Sequence, residues 1–278
     1  MTKPDSLRLE PGAKRRHYWR DLWRYRELFY MLAWRDISVR YRQTAVGVAW
    51  AVLQPLATMI VMTVVFGKVA GLSKASGPPY ALLVIAGMLP WQFFSSAFAG
   101  ASQSLVTNAG LISKVYFPRM IIPAGAVATS FVDLLIAFTI LLAMLIWFQF
   151  VPNWHIVVLP LFMALSFGAA MGFGLLVAAL NVKFRDFRYV VPFIVQFGVY
   201  ISPIGYSSEL IRSRLGDTLY YVYCLNPIVG IIDGFRWAIL GTPLDVFALL
   251  IACASVAVAI LVGVWYFRRT ETGFADII

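Results

Sequence analysis

Residues 121–149, IIPAGAVATSFVDLLIAFTILLAMLIWFQ, form the longest of several apolar runs in this chain. A helix needs about 20 mainly apolar residues to cross the hydrocarbon core of a bilayer. The run exceeds that length and contains one charged side chain, Asp133. It predicts a transmembrane helix whose single carboxylate requires a polar partner. Pairing with an arginine or a hydroxyl is favoured over proton coupling, because no second acidic or histidine residue lies in the middle of a span.

Five further runs are apolar in the same way, and they set the architecture. They cover residues 46–69, 80–104, 156–180, 189–206 and 246–267. The composition agrees, because 61% of the residues are hydrophobic and 13% are charged, against about 45–50% and 25% in soluble domains. We therefore predict an all-α polytopic membrane protein with six transmembrane helices, of which the fifth is the shortest.

The chain before the first span has the pattern of an amphipathic helix. Over residues 18–42, one side of a helix carries Trp19, Leu22, Tyr25, Phe29 and Leu32. Aromatic residues flank this apolar arc, and amphipathic rings of that kind suit the headgroup layer of a membrane. We predict an interface helix within a cytoplasmic segment, 1–45. It is either a simple lipid anchor or also a gate or docking surface at the cytoplasmic entrance.

Lysine and arginine predict the orientation, because these residues are retained on the cytoplasmic side of short loops. With residues 1–45 inside, 18 of the 23 Lys and Arg residues fall on the cytoplasmic side. We predict a membrane protein with both termini in the cytoplasm, a transmembrane domain over 46–270 and a tail over 271–278. The net charge of +10 follows from this asymmetry and from anionic lipid, so nucleic acid is not an expected partner.

The stretch between the fifth and sixth spans, 207–245, has a pattern of its own. Its apolar part, TLYYVYCLNPIVGII, is too short to cross a membrane and is interrupted by Asn226 and Pro227. Apolar pieces of about 10–14 residues are typical of re-entrant or interfacial segments. We predict two short helices that break at this pair and face outward, with a solvated loop as the alternative.

The sequence argues against metal and nucleotide chemistry in this chain. The candidate metal ligands outside the acidic residues are isolated from one another: His17, His155, Cys224 and Cys253. The only Gly-Lys pair, Gly67-Lys68, lacks the other residues of a phosphate-binding loop. We expect no catalytic residue, no metal site and no bound ATP here.

Four stretches, in the order of the spans, carry a resemblance to a known family. They are AWRDISVRYRQTAVGVAWAVLQP at 33–55, KVYFPR at 114–119, NVKFRDFRYVVPF at 181–193 and LNPIVGIIDGFRWAILG at 225–241. The chain resembles the ABC-2 type permeases of polysaccharide exporters, such as those for O-antigen and teichoic acid. The resemblance implies a transport subunit that moves a lipid-linked polysaccharide across the inner membrane. It is not expected to be an enzyme.

The same resemblance implies the partners. A separate ABC ATPase, in two copies, would bind ATP and Mg²⁺, and a second copy of this chain would complete a canal between the two permeases. The polymer would travel on undecaprenyl diphosphate, within a membrane whose lipids also contact the protein. Because a canal that passes repeating units need not read them, the sequence does not select among O-antigen, capsule and teichoic acid.

The resemblance also implies roles for individual residues. The candidate ATPase-docking loop consists of Lys114, Tyr116, Phe117, Pro118 and Arg119, although an ordinary basic loop is the alternative. Candidates for meeting the lipid diphosphate at the entrance are Arg35, Arg40 and Arg42. The candidate external gate includes Asn226, Pro227 and Arg236.

Aromatic residues at helical spacing are the candidate canal lining, because sugar C–H faces lie well on aromatic rings. They are Trp91, Phe94 and Phe98 in the second span and Phe193, Phe197 and Tyr200 in the fifth. Helix packing or lipid contact is the alternative for both sets. The fifth span is the favoured lining.

Three other functions stay open at this point. The first is a small-molecule or drug exporter of the same superfamily. The second is a membrane-bound lipid-linked sugar transferase, which is disfavoured because the acidic residues are scattered and no D-x-D pair occurs. The third is a passive channel, which would not need a docking loop.

Overall fold

The computed structural model describes residues 18–42, 47–74 and 77–274, and these ranges contain helices and no strand. The α-helices are α1 (Tyr18–Arg24), α2 (Arg26–Arg42), α3 (Gly47–Met62), α4 (Tyr80–Thr107), α5 (Ala109–Ile112), α6 (Ile121–Trp147), α7 (Leu159–Lys183), α8 (Phe187–Ile201), α9 (Ser208–Tyr223), α10 (Pro227–Leu240) and α11 (Val246–Thr270). A π-helical stretch, Thr63–Val69, continues α3, and single 3-10 turns cover Leu72–Lys74, Trp154–Val158 and Glu271–Gly273. The predicted all-α fold is confirmed.

Within the described residues, five helical segments are long and apolar enough to cross a membrane. They are Val52–Val69, Tyr80–Thr107, Ile121–Trp147, Trp154–Lys183 and Val246–Gly273. They coincide with five of the six predicted spans, and the bent pair formed by α9 and α10 would make a sixth if it counted as one span. The chain is therefore a polytopic helical membrane protein.

The fifth predicted span, 189–206, is shorter in the structure than in the prediction. Its helix, α8, has 15 residues and rises about 22 Å at 1.5 Å per residue, less than the roughly 30 Å of a hydrocarbon core. The helix ends at Ile201 because Ser202 precedes Pro203, and a residue before proline disfavours the helical conformation. Ser202 accordingly has extended backbone angles.

Helices α9 and α10 form the predicted broken pair and bend by 115°. The break lies at Asn226 and Pro227, as predicted. The Asn226 side chain accepts a hydrogen bond from the Ile228 backbone N–H at 3.1 Å, and Pro227 occupies the first helical position, where its missing N–H costs nothing. This local chemistry starts α10 in a new direction, and Gly241, with a left-handed backbone, ends it.

Helix α4 forms the centre of the bundle and packs against α6, α7 and α10. Small residues let α7 approach both α4 and α11 closely. A Cβ added to Gly174 in α7 would lie 2.8 Å from Ala101 in α4, and one added to Gly172 would lie 2.7 Å from the Ala259 backbone in α11. Such glycines let helix backbones approach closely inside membranes.

The two ends of the described chain, at Tyr18 and Phe274, meet at one end of the bundle, called here the basic end. A cluster of buried side chains there includes Tyr18, Leu32, Phe117, Phe267 and Phe274. It joins the N-terminal helices, the α5–α6 connection and the end of α11. These segments carry ten of the eighteen Lys and Arg residues in the described part of the chain, so the structure groups segments that the charge pattern assigned to the cytoplasm. The predicted tail 271–278 packs on the bundle as far as residue 274.

The N-terminal helices pack most of the amphipathic arc against the protein. Leu32 is buried and Leu22, Tyr25 and Phe29 are partly buried against the basic-end cluster. These residues of the arc therefore cover the apolar end of the bundle, and the placement of the segment at the membrane interface stays a prediction. Trp19 does not join them and is exposed. The aromatic rings that point outward are Trp19, Trp23, Tyr30 and Trp34.

Candidate functional site

The first candidate canal residues, Trp91, Phe94 and Phe98, lie in the packed interior of one chain. All three are buried, and the Phe94 and Phe98 rings stack with centroids 5.6 Å apart. Trp91 fills the space beside Gly198 of α8, where an added Cβ would lie 2.2 Å from the indole. The structure places this stripe between helices and not on an open surface, because α7 and α8 cover it.

The second set of candidate canal residues lies on the open face of α8. Phe193, Phe197 and Tyr200 are 59%, 47% and 64% exposed, and the first two rings are 4.3 Å apart. The opposite face of this helix packs on Trp91 through Gly198. Packing within the chain therefore fixes α8 while its aromatic row stays uncovered.

Arg40, one of the three arginines proposed for the entrance, is engaged with a carboxylate. The Arg40 guanidinium and the Tyr41 hydroxyl both donate to the Asp133 carboxylate. Asp133 thus has the arginine and hydroxyl partners predicted for it. Burial and then the hydrogen bond to Asp133 raise the pKa of Tyr41 above its ordinary value, so this hydroxyl remains a donor across the physiological range.

The other two entrance candidates differ from Arg40. Arg35 forms an exposed ion pair with Asp36 at 2.8 Å, and its Nη2 donates to Asn108 Oδ1 at 2.9 Å. Because Asn108 lies between α4 and α5, Arg35 ties α2 to the segment that precedes the candidate docking loop. Arg42 ends α2, and its side chain lies outside the described part of the structure.

The candidate docking loop divides into an exposed part and an anchored part. Lys114 and Tyr116 are exposed, whereas Phe117 and Pro118 are buried. Phe117 enters the basic-end cluster. Arg119 donates to the backbone carbonyl of Glu271, and its guanidinium lies 5.9 Å from the Phe274 ring centroid. The anchored residues hold the exposed ones against the bundle.

One contact, between the two ends of the described chain, was not predicted from the sequence. The Tyr18 hydroxyl donates to Glu271 Oε2 at 2.9 Å, and the Arg268 guanidinium lies 4.8 Å from the Tyr18 ring centroid. With Arg119, these residues link α1, the docking loop and the end of α11. No local pattern signals a contact between residues 253 positions apart.

At the other end of the bundle, Arg236 of α10 holds three backbone carbonyls. Its guanidinium donates to Leu83 O at 3.1 Å, Ile204 O at 2.8 Å and Tyr206 O at 2.9 Å. Arg236 is 3% exposed and Asp233, one turn before it, is 8% exposed. The alternative of a solvated loop therefore fails for α10. Its candidate gate residue joins the α8–α9 connection to α4 and α10.

Metal-binding groups of three or more His, Cys, Asp or Glu residues are not found among residues 18–42, 47–74 and 77–274. The contacts described above are packing contacts, ion pairs and hydrogen bonds to side chains and backbone carbonyls.

Comparison with known proteins extends over nearly the whole chain. Residues 27–240 match the family described as ABC-2 type transporter. The chain is 26% identical over 242 residues to the O-antigen export system permease protein RfbA of Myxococcus xanthus, a match that covers 87% of this chain and 91% of that protein. A protein of the same name from Klebsiella pneumoniae is 25% identical over 256 residues, covering 91% and 95%. The polysialic acid transport protein KpsM of Escherichia coli is 24% identical over 212 residues, covering 74% and 78%.

Proposed function

Because this chain belongs to the ABC-2 type transporter family, we propose that it is the permease subunit of an exporter of lipid-linked polysaccharide. The polymer is of O-antigen type, it crosses the bacterial inner membrane, and a separate ABC ATPase supplies the energy. The observation that carries this proposal is the similarity to an O-antigen export permease over 91% of this chain and 95% of that relative.

The open aromatic row on α8 supports a path for sugars. Phe193, Phe197 and Tyr200 present ring faces without a charged side chain among them. Aromatic faces accept sugar C–H groups, and a path with weak, repeated contacts lets a polymer move on, as multiple weak sites do in ion pores. In the proposed arrangement, two copies of this chain face each other and the α8 rows line the canal between them.

The exposed part of the docking loop supports a role in energy coupling. Lys114 and Tyr116 project from a loop that Phe117 and Arg119 fix to the bundle. A rigid loop transmits a push from a partner better than a mobile one. In the proposed complex, two ATPase subunits bind ATP and Mg²⁺ and dock beneath the basic end of two permeases, on the cytoplasmic side.

The end of α2 supports an entrance for the lipid carrier. Arg35 forms an ion pair with Asp36, and Arg40 forms one with Asp133. An incoming diphosphate, such as that of undecaprenyl diphosphate, would compete with these carboxylates for the guanidinium groups. At the opposite end, the proposed external gate is the α9–α10 pair, which bends at the Asn226–Pro227 break and is fixed by Arg236.

Reconstitution with the cognate ATPase tests the proposal. The two proteins are co-expressed, purified in lipid nanodiscs, and assayed for ATP hydrolysis with and without undecaprenyl-diphosphate-linked O-polysaccharide. We expect a stable complex whose hydrolysis requires both proteins and rises with the lipid-linked polymer. Hydrolysis that responds only to a hydrophobic small molecule would favour a drug exporter, and no complex at all would contradict the proposal.

A further inference from the structure

The short connection between α7 and α8 concentrates positive charge in an exposed turn. Residues 183–188, KFRDFR, are called here the basic turn and contain three cations and one carboxylate, Asp186. The three cations, all of them exposed, are Lys183, Arg185 and Arg188. Val182, just before the turn, is buried in the basic-end cluster. The basic turn therefore lies at the end of the bundle that the charge pattern assigns to the cytoplasm.

The cations of the basic turn differ from the arginines near the end of α2, because none of them is ion-paired. The arginines of α2 that the structure describes at the entrance are held by Asp36 and Asp133. Within the described residues, the three cations of the basic turn form no ion pair. Lys183 Nζ lies 5.2 Å from the Phe184 ring centroid. An anion can thus bind these cations without displacing a carboxylate from them.

Hydrogen bonds within the backbone give the basic turn a defined shape. The Phe184 N–H donates to Leu180 O at 2.7 Å, and the Arg188 N–H donates to Arg185 O at 3.2 Å. The second of these bonds places Arg188 one turn after Arg185, so the two side chains are neighbours. Two neighbouring guanidinium groups suit a phosphate, because its oxygens accept paired hydrogen bonds from each of them.

The open face of α8 begins directly at the basic turn. Tyr189 is 79% exposed and lies one helical turn before Phe193, so it extends the aromatic row of α8 toward the cations. Val190 and Ile194 add exposed apolar surface to the same helix. A ligand with an anionic head and a long uncharged part can contact both the basic turn and this face. An acidic surface of a soluble protein would use the cations and leave the rings unused.

The charge balance of the basic turn favours an anion with more than one charge. The net charge of the turn stays positive after Asp186 is counted. A diphosphate is charged on both phosphates, whereas a phospholipid headgroup has a single phosphate, so the diphosphate is attracted more strongly. Asp186 opposes this attraction, and its side chain does not cap α8. Its removal should therefore strengthen anion binding without loss of a helix cap.

We propose that the basic turn binds the diphosphate of the lipid carrier, with Arg185 and Arg188 on the phosphates and the attached sugars on Tyr189. The inference deepens the proposed function and rests on it, because it takes a lipid-linked polysaccharide as the substrate. It adds a carrier contact on α8 to the arginines of α2. A carrier held at the basic turn presents its first sugars to the beginning of the aromatic row.

Native mass spectrometry of the full chain, released from phosphatidylcholine nanodiscs, tests the inference. Undecaprenyl diphosphate is titrated as the ligand, and phosphatidylglycerol and inorganic pyrophosphate are the competitors. The variant without the cations is Lys183→Gln, Arg185→Gln, Arg188→Gln, and a second variant is Asp186→Asn. Arg269→Gln is the matched control, because Arg269 is also an exposed arginine at the basic end and lies 5.5 Å from an aromatic ring, that of Trp265.

We expect the triple variant to bind undecaprenyl diphosphate about tenfold more weakly, because three exposed charge contacts are lost. Asp186→Asn should bind it more tightly, and Arg269→Gln should bind it as the unaltered chain does. The inference is overturned if the triple variant keeps its affinity or if Arg269→Gln loses as much. It is also overturned if pyrophosphate or phosphatidylglycerol competes as well as the carrier, because the turn would then bind any anion or bulk lipid.

The cognate ATPase separates carrier binding from docking. If the triple variant loses the ATPase complex and still binds undecaprenyl diphosphate, the basic turn is a docking surface and the inference fails. If the unaltered chain shows partner-dependent ATP hydrolysis but does not bind undecaprenyl diphosphate, the inference fails and the exporter proposal stands. An unaltered chain that forms no complex with the ATPase would instead contradict the exporter proposal.

Discussion

The guanidinium of Arg236 occupies the space that a side chain at Gly87 would need. A Cβ added to Gly87 in α4 would lie 2.8 Å from Arg236 Nη2 and 3.2 Å from Cζ. The buried arginine reaches the carbonyls of Leu83, Ile204 and Tyr206 because α4 has no side chain at this point. Gly87 of α4 thus leaves the space in which Arg236 of α10 holds the α8–α9 connection.

Replacement of Gly87 by alanine is expected to displace the guanidinium and weaken its hydrogen bonds. A hydrogen bond to a charged group contributes about 1.5–3 kcal/mol, so we expect a loss of about 2 kcal/mol in the stability of the purified protein. Thermal unfolding in detergent measures it. Gly100→Ala in the same helix is the control, because its added Cβ would meet Ala126 at an ordinary 3.7 Å. Equal effects of both substitutions would contradict the assignment.

The Arg40–Asp133 pair is expected to be coupled energetically. Arg40→Gln and Asp133→Asn should each lower thermal stability, and the double variant should lose less than the sum of the two. The side chains are 48% and 28% exposed, so solvent screening limits the coupling energy to about 1 kcal/mol. Arg24→Gln on α1 is the control for loss of a basic residue. Additive effects would show that the pair contributes nothing to the attachment of α2.

Variants of the candidate docking loop should separate effects on ATPase coupling from effects on folding. Tyr116→Ala and Lys114→Glu are expected to reduce partner-dependent ATP hydrolysis while leaving thermal stability unchanged, because both side chains are exposed. Phe117→Ala should instead destabilise the permease by about 3–5 kcal/mol, the cost of removing a buried aromatic ring. The test is whether the exposed residues affect ATP hydrolysis alone while the buried residue affects stability. Full ATPase coupling in a stable Tyr116→Ala, Lys114→Glu double variant would exclude the loop as the docking site.

The aromatic row on α8 should affect transport more than folding. Phe193→Ala and Tyr200→Ala remove exposed rings, so we expect export to fall several-fold with little change in melting temperature. Trp91→Ala should do the reverse and destabilise the chain, because its ring fills the gap at Gly198. Export is measured as polymer at the cell surface of a strain that lacks the chromosomal gene. Normal export by the Phe193→Ala, Tyr200→Ala double variant would show that this row does not line the transport path.

Much of the fold follows from short-range patterns in the sequence. Five of the six spans predicted from apolar length alone coincide with helices long enough to cross a membrane. The α9–α10 break was predicted from Asn226 and Pro227, whose roles as helix cap and first helical residue are local. Lys and Arg likewise predicted which segments share an end of the bundle. The end of α8 was placed too late, although Pro203 gave a local signal for it.

The site was less predictable because its contacts are between residues distant in the chain. Arg236 belongs to a stretch that was predicted as two short helices facing outward, and its burial depends on the gap at Gly87 in a distant helix. Tyr18 and Glu271 lie at opposite ends of the described chain. The stripes at Trp91 and at Phe193 have the same spacing, yet one is covered by neighbouring helices and the other is open. Periodicity finds a helix face and does not tell what packs on it.

The most direct test of the account is ATP-driven movement of the polymer itself. Inverted vesicles, whose cytoplasmic face is outside, contain the permease and its ATPase. Undecaprenyl-diphosphate-linked O-polysaccharide is supplied to the outer surface of these vesicles. The polymer that becomes protected from an added glycosidase, because it has moved into the lumen, is measured over time. We predict protection that requires ATP and both proteins and that falls in the Phe193→Ala, Tyr200→Ala variant. Polymer that stays fully accessible, in vesicles whose ATPase is active, would contradict the claim that this chain exports lipid-linked polysaccharide.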